Sequence, residues 1–325
     1  PGTAALNAGG NAGVYSVSCA SAGNCAAGGF YKDRSANSQA FVASEVNGTW
    51  KTAIQVPGTA ALNKGGEAAV YSVSCPSAGN CAAGGYYKDR SGNYQAFVAS
   101  EVNGTWKTAI EVPGTAALNA GGNALGYSVS CPSAGNCAAG GFYKDRSGNY
   151  QAFVASEVNG TWKTAIQVPG TAALNKGGEA AIYSVSCASA GNCAGGGGYT
   201  DGAGHFQAFA ASEVNGTWKT AIKVPGTAAL NKGGSAAVES VSCPSAGNCA
   251  AGGFYSDGAG HGQAFAASEV NGTWKAAIEV PGTAALNKGG SAEVYSVSCG
   301  SAGNCAGGGD YASSTGKYQA FVTSP

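Results

Sequence analysis

A tyrosine followed two residues later by an aspartate recurs at a fixed interval: Tyr31/Asp33, Tyr87/Asp89, Tyr143/Asp145, Tyr199/Asp201 and Tyr255/Asp257. An aromatic plane beside a carboxylate suits a sugar, whose apolar face lies on the ring while Asp and Asn take its hydroxyls. These ten residues are the expected ligand contacts; the competing role for the rings is packing. Other chemistry is thinly supplied. Nucleophilic catalysis needs Ser or Cys held against a base, and only His205 and His261 are available, in equivalent Gly-Ala-Gly-His turns that read as exposed loops. Arg34, Arg90 and Arg146 occupy one repeated loop position and read as surface charge. Glu45, Glu101, Glu157, Glu213 and Glu269 precede Asn-Gly turns and read as solvated, away from the aspartates, so no acid–base pair is expected. The stretch Asp201-Gly202-Ala203-Gly204 offers too few oxygens for calcium. No catalytic residue, metal or cofactor is expected, and the chain reads as a non-enzyme.

The elements that must position these residues come from a repeat. PGTAALN begins at Pro1, Pro57, Pro113, Pro169, Pro225 and Pro281. The units are 1–56, 57–112, 113–168, 169–224, 225–280 and a shorter 281–325, and repeats that stack on one another imply a single domain over 1–325. Within the second unit, Ala69–Cys75 reads as a first strand, Cys81–Lys88 as a second and Tyr94–Val102 as a third. Asn103-Gly104 is a type I′ hairpin signal, and a fourth strand runs from Thr105-Trp106 to Val112. No stretch has a useful 3.6-residue apolar period, and Thr-Ala-Ala-Leu-Asn is too short for an independent helix. The second strand is Ala and Gly, so neighbouring backbones can come close. Four antiparallel strands per unit imply an all-β, six-bladed β-propeller whose last blade lacks its outer strand. A β-solenoid is the second choice.

Twelve cysteines form six C-x5-C pairs, one per unit: Cys19/Cys25, Cys75/Cys81, Cys131/Cys137, Cys187/Cys193, Cys243/Cys249 and Cys299/Cys305. Disulfides within each unit are the simplest connectivity and imply an oxidising compartment, hence secretion or the cell surface. Zinc fits less well, because each unit offers two thiols and no matching His. Formal net charge is zero and 10% of residues are charged, with no basic stripe, which argues against nucleic acid. No apolar run is long enough to span a membrane, so no membrane insertion is expected. Met is absent and no leader-like segment is visible, so the chain reads as a mature or trimmed form.

Several motifs carry a resemblance. Gly84-Gly85 followed by Tyr87, with Trp106 entering the last strand, resembles a kelch-type blade. Ser100–Trp106 is similar to the Asp-box hairpin of sialidase-like propellers, but is one residue shorter and lacks the Asp. The run Ser-Val-Ser-Cys-x-Ser-Ala-Gly-Asn-Cys-Ala resembles secreted repeat proteins of actinobacteria. The resemblance covers every repeat and implies a propeller fold and a secreted location, with no activity carried over.

Comparison of the repeats separates the two ends of a blade. Ser-Ala-Gly-Asn-Cys and Val-Asn-Gly-Thr-Trp barely change, whereas the turn after the second strand reads KDRSANS, KDRSGNY, KDRSGNY, TDGAGHF, SDGAGHG and ASSTGKY. The variable end also carries Tyr15, Tyr71, Tyr127, Tyr183 and Tyr295 at the start of the first strand, with Glu239 the exception. The expected function is a secreted, monomeric, lectin-like protein with repeated sites for a carbohydrate or surface glycan. The alternatives are an adhesive or structural surface scaffold that contacts protein, and an engineered symmetric propeller with no ligand.

Overall fold

In the computed structural model, which describes residues 1–324, each repeat folds into its own antiparallel sheet. Two compact units divide the chain: 1–149 with 153–166, and 150–152 with 167 onward. In the second repeat a helical turn, Thr59–Leu62, precedes three long strands, Ala68–Ser77, Asn80–Lys88 and Tyr94–Val102. The expected fourth strand is divided into Thr105–Trp106 and Ile110–Glu111, both paired with the third strand. It breaks because the intervening Ala109 N–H donates to the Pro57 carbonyl at the start of the repeat, 2.7 Å away. Repeat six has three strands, ending with Tyr318–Thr323.

Local chemistry accounts for the ends of each blade. Asn103 and Gly104 have φ of 51° and 75°, the pair of positive values a type I′ turn requires. That turn is tied to the disulfide hairpin: Gly104 N–H donates to Gly79 O at 2.8 Å, and Asn103 N–H to Asn80 Oδ1 at 3.2 Å. This mutual bracing explains why both turns stay constant.

All six cysteine pairs are disulfides that close within their own hairpin. In the first unit these are Cys19–Cys25, Cys75–Cys81 and Cys131–Cys137, with Cα atoms 3.9, 4.1 and 4.0 Å apart across the two strands. In the second they are Cys187–Cys193, Cys243–Cys249 and Cys299–Cys305, at 3.9, 4.1 and 4.0 Å. They point to a non-reducing, extracellular location.

The helical turn is held by tertiary contacts. Asn63, 7% exposed, donates to Ser38 O and Gln39 Oε1 of the preceding blade, both at 3.0 Å, and accepts the Glu67 N–H at 2.8 Å. The equivalent Asn119, Asn231 and Asn287 repeat the tie to the preceding blade, which gives the PGTAALN asparagine its role.

The core lies between successive sheets. In the first unit Val70 and Val73 pack with Ala40 and Val42 of the preceding sheet. Burying each such valine contributes about 1.5–3 kcal/mol. The small second strand permits this approach, because a Cβ on Gly28 would stand 2.4 Å from Val70 Cγ1. In the second unit Gly196 faces Val238, and Gly252 faces Val294, in the same way. The Ser-Val-Ser-Cys motif supplies polar registration: Val73 and Cys75 N–H groups donate to Ser16 and Ser18 Oγ of the preceding sheet, each at 3.0 Å. In the second unit Val297 and Cys299 do the same to Ser240 and Ser242.

Four of the five glutamates before the Asn-Gly turns are buried, not solvated as expected, and Glu45 is half-buried. Glu101, Glu157, Glu213 and Glu269 are 3–4% exposed. Ser44 Oγ of the preceding blade donates to Glu101 Oε1 at 2.7 Å and accepts Trp106 Nε1–H at 3.0 Å. Burial pushes the Glu101 carboxyl above its usual value, against the lowering effect of Ser44.

Candidate functional site

The Tyr and Asp residues read as ligand contacts lie in the framework. Tyr31, Tyr87, Tyr143, Tyr199 and Tyr255 are 3–5% exposed, so their ring faces are not presented to solvent. Tyr87 Oη donates to Glu111 Oε2 at 3.2 Å, and Tyr255 Oη to Glu279 Oε2 at 3.1 Å. Burial raises these phenols, and pushes Tyr143 up to about 12. The aspartates organise their own turns. Asp89 Oδ1 accepts the Ser91 and Asn93 N–H groups at 2.8 and 3.0 Å, while Oδ2 accepts Gln95 Nε2 at 3.0 Å. Asp33, Asp201 and Asp257 hold the same arrangement, and Asp145 Oδ1 accepts the Ser147 and Asn149 N–H groups. Partial desolvation raises the Asp89 carboxyl, but these hydrogen bonds outweigh it and leave the group below its ordinary value. His205 and His261 lie on the exposed tips, their Nδ1 atoms 3.9 and 3.7 Å from Asp201 and Asp257.

The cysteines also belong to the framework and not to a ligand site. No thiol among the described residues is free. Cys25, Cys137 and Cys193 each stand second in a second strand, after the asparagine that opens it, and are bonded to Cys19, Cys131 and Cys187 on the first strand. Cys81, Cys249 and Cys305 stand at the same position in the other repeats. A sulfur held in a disulfide is neither a nucleophile nor a metal ligand, since both roles need the thiolate.

A different set of aromatic groups is presented at the same end of the blades as the Tyr–Asp pairs. Each first strand carries a one-residue bulge; in repeat two it falls between Val70 and Ser72, leaving Tyr71 without a ladder partner. In the first unit the bulged tyrosines line up: ring centroids are 5.6 Å apart for Tyr15–Tyr71 and 5.9 Å for Tyr71–Tyr127. Second-strand rings flank them, with Phe30 at 5.4 Å from Tyr15, Tyr86 at 5.2 Å from Tyr71 and Phe142 at 5.4 Å from Tyr127. Tyr94 extends the strip at 5.6 Å from Tyr86. Tyr15 is 54% exposed, and Tyr71, Tyr86, Tyr94 and Tyr127 are half-buried. A polar group borders the strip: Tyr94 Oη donates to Glu67, Lys88 Nζ lies 3.3 Å from the same carboxylate, and the ammonium stands 5.1 Å from the Tyr94 ring centre. The Tyr94 hydrogen bond, then Lys88, hold the Glu67 carboxyl below its ordinary value despite partial burial.

In the second unit acidic residues enter the corresponding region. Glu239 takes the bulge, and Glu293 and Asp310 face each other across the first two strands of repeat six. Tyr295 Oη donates to Asp310 Oδ2 at 3.3 Å. Burial, then the charges of Glu239 and Asp310, push the Glu293 carboxyl up to about 7. A carboxyl raised in the folded state stabilises most below its unfolded value and loses that contribution as pH rises through the folded one. Heating scans between pH 4.5 and 8 should therefore show stability falling across pH 5–7. The Glu293→Gln variant should be flatter there than the parent; equal slopes would remove Glu293 as the source.

Sequence reasoning singled out the bulge tyrosines and Glu239 but missed Phe30, Tyr86, Phe142, Glu293 and Asp310. The available signal was variation: the strand position of Phe30 reads Phe, Tyr, Phe, Gly, Phe, Asp along an otherwise Ala-Gly segment. Among the described residues no group of three or more His, Cys, Asp or Glu side chains is placed to hold a metal. No helix among them is long and apolar enough to cross a membrane.

Comparison with solved structures assigns the fold to the β-propellers. The β-propeller domain of the Trilobed protease from Pyrococcus furiosus is 6% identical with a TM-score of 0.50, over 96% of this chain and 82% of its own. The chain is thus a propeller repeat protein with one blade per 56-residue unit. The Hadza microbial sialidase Hz136 is 12% identical with a TM-score of 0.48, over 95% of this chain; the chain spans 64% of that sialidase. An ulvan lyase of a polysaccharide lyase family is 9% identical with a TM-score of 0.49, over 93% of this chain and 76% of its own. No protein-family model matches the chain, and no curated protein is similar to it in sequence. These comparisons correct the expectation of a non-enzyme. Similar structures include a sialidase and a polysaccharide lyase, so a lack of catalysis does not follow from the fold.

Proposed function

We propose that this propeller is a secreted or cell-surface protein that binds carbohydrate on the aromatic strip of its first unit. The observation that carries the reading is the run from Tyr15 through Tyr71 to Tyr127, flanked by Phe30 and Tyr86, with ring faces half open to solvent. Partly exposed aromatic planes stack on the apolar faces of sugar rings, while tyrosine hydroxyls, Glu67 and Lys88 take hydroxyl groups. A strip across three repeats suits an oligosaccharide better than one sugar, since adjacent rings add contacts without a second loss of freedom. The aspartates of the Tyr–Asp pairs fix the turns at the same end of the blades. A glycan array followed by calorimetry tests the reading. Saturable binding of an oligosaccharide, tighter than its monosaccharide, is expected; silence across the array overturns it.

A further inference from the structure

Cations border the aromatic strip of the first unit. The turn after each second strand places a lysine and an arginine around one aspartate: Lys32-Asp33-Arg34, Lys88-Asp89-Arg90 and Lys144-Asp145-Arg146. Aromatic residues bracket two of these turns. Tyr86 and Tyr94 lie four residues before and after Arg90, and Phe142 and Tyr150 stand likewise about Arg146. Lys88 is the ladder partner of Tyr94, and its ammonium is 5.1 Å from the centre of that ring.

The negative groups nearby are already engaged. Asp89 accepts two backbone N–H groups and Gln95 Nε2 within its own turn, and Asp33 does the same with Gln39. Glu67 takes the Tyr94 hydroxyl and Lys88 at 3.3 Å, and also feels the charge of Lys32 on the preceding blade. The arginines differ. Arg34, Arg90 and Arg146 are exposed, and none is in an ion pair among the described residues. A guanidinium in that state offers parallel N–H donors to an oxyanion, two at a time.

The cations and the rings vary together. In the second unit the lysine positions read Thr200, Ser256 and Ala312, and the arginine positions Gly202, Gly258 and Ser314. There the position of Phe30 becomes Gly198 in repeat four and Asp310 in repeat six, and Glu239 replaces a bulge tyrosine. The chain keeps these cations only where its rings form a run. Charge that served solubility alone would have no reason to follow the rings.

We infer that the oligosaccharide taken by the strip is acidic, its carboxylate or sulfate groups received by Arg34, Arg90 and Arg146 while its sugar rings lie on the tyrosines. This rests on the carbohydrate reading of the strip and names the class of sugar.

The probes are matched pairs of hexasaccharides, added to the glycan array and then measured by calorimetry: oligogalacturonate with its methyl ester, and a sulfated galactan fragment with its desulfated form. The acidic member of at least one pair is expected to bind about tenfold tighter than its neutral partner, and the pair that responds separates carboxylate from sulfate. That advantage should largely vanish between about 0.05 and about 1 M salt, where the screening length falls to about 3 Å. Replacing the three arginines together, Arg34→Gln, Arg90→Gln and Arg146→Gln, should weaken the acidic sugar about tenfold, at roughly two- to fivefold per exposed charge pair. Affinity for the neutral partner and the melting midpoint should stay at the parent's values, because the three side chains are exposed and unpaired. Equal binding within both pairs, binding confined to neutral sugars, or parent-like affinity of the triple variant for the acidic sugar overturns the inference and leaves the strip reading standing. Silence across the whole array, or acidic-sugar binding that Tyr71→Ala leaves unchanged, overturns the strip reading and the inference with it.

Discussion

Gly85→Ala is expected to cost the protein at least about 3 kcal/mol, more than overpacking commonly does. A Cβ on Gly85 would stand 2.0 Å from the Ala69 carbonyl oxygen, a backbone atom that cannot rotate away. The same clash, at 1.8–2.0 Å, awaits a side chain at Gly29, Gly141, Gly197, Gly253 and Gly309. The cause is the bulge on the facing strand, which presses the chain before Tyr71 onto the glycine. The neighbouring Gly84→Ala is the control. Its Cβ would meet Val129 Cγ2 at 2.6 Å, a side chain on the next sheet that can yield, so a smaller loss is expected. Guanidinium unfolding followed by tryptophan fluorescence checks both. A loss below about 1 kcal/mol for Gly85→Ala would show that the bulge can relax, since protein cores tolerate changes of that size only where neighbours move. Because that bulge presents Tyr71, the substitution should also disturb the aromatic strip.

Tyr71→Ala is expected to weaken oligosaccharide binding about tenfold, since an aromatic contact is worth roughly 0.5–1.5 kcal/mol beyond its area and this ring is central. Tyr71 touches Tyr15, Tyr86 and Tyr127, so its loss removes one stacking face and unsupports three others. Stability should change little, because the ring is half open to solvent and lies outside the ladder. Calorimetry on the best array ligand, with a melting curve for each variant, separates the two effects. Tyr87→Phe removes only the buried hydroxyl that donates to Glu111 and should leave affinity unchanged. Parent-like affinity in Tyr71→Ala, with loss in Tyr87→Phe, would move the contact surface to the Tyr–Asp pairs.

Much of the blade was legible because its determinants are local. The positive φ at Asn103 and Gly104 needs only those two residues, and Cys75 and Cys81 lie on one hairpin whatever surrounds it. The fourth strand was legible as a segment but not as two pieces, since its break depends on Pro57, some 50 residues earlier. Glu101 was misread for a related reason. Its neighbours in sequence are a turn, but the groups that bury it, Ser44 and the indole of Trp106, meet only where two sheets pack.

The aromatic surface marks the boundary between the two kinds of information. Repeat length, strand order, turn types and disulfide pairing followed from spacing and residue type alone, and so did the end of the blade where variation gathers. Which tyrosine faces solvent did not. Tyr86 and Tyr87 are adjacent on one strand and point to opposite faces, so one is half open while the other is 4% exposed. The single extra residue at Tyr71 then displaces that ring from the alternation and sets it beside Tyr86. A one-residue bulge reverses side-chain parity, and its position is set by a backbone contact with Gly85 on the facing strand. Only the paired sheet contains that contact, so only the tertiary structure decided which aromatic groups the protein shows to a ligand.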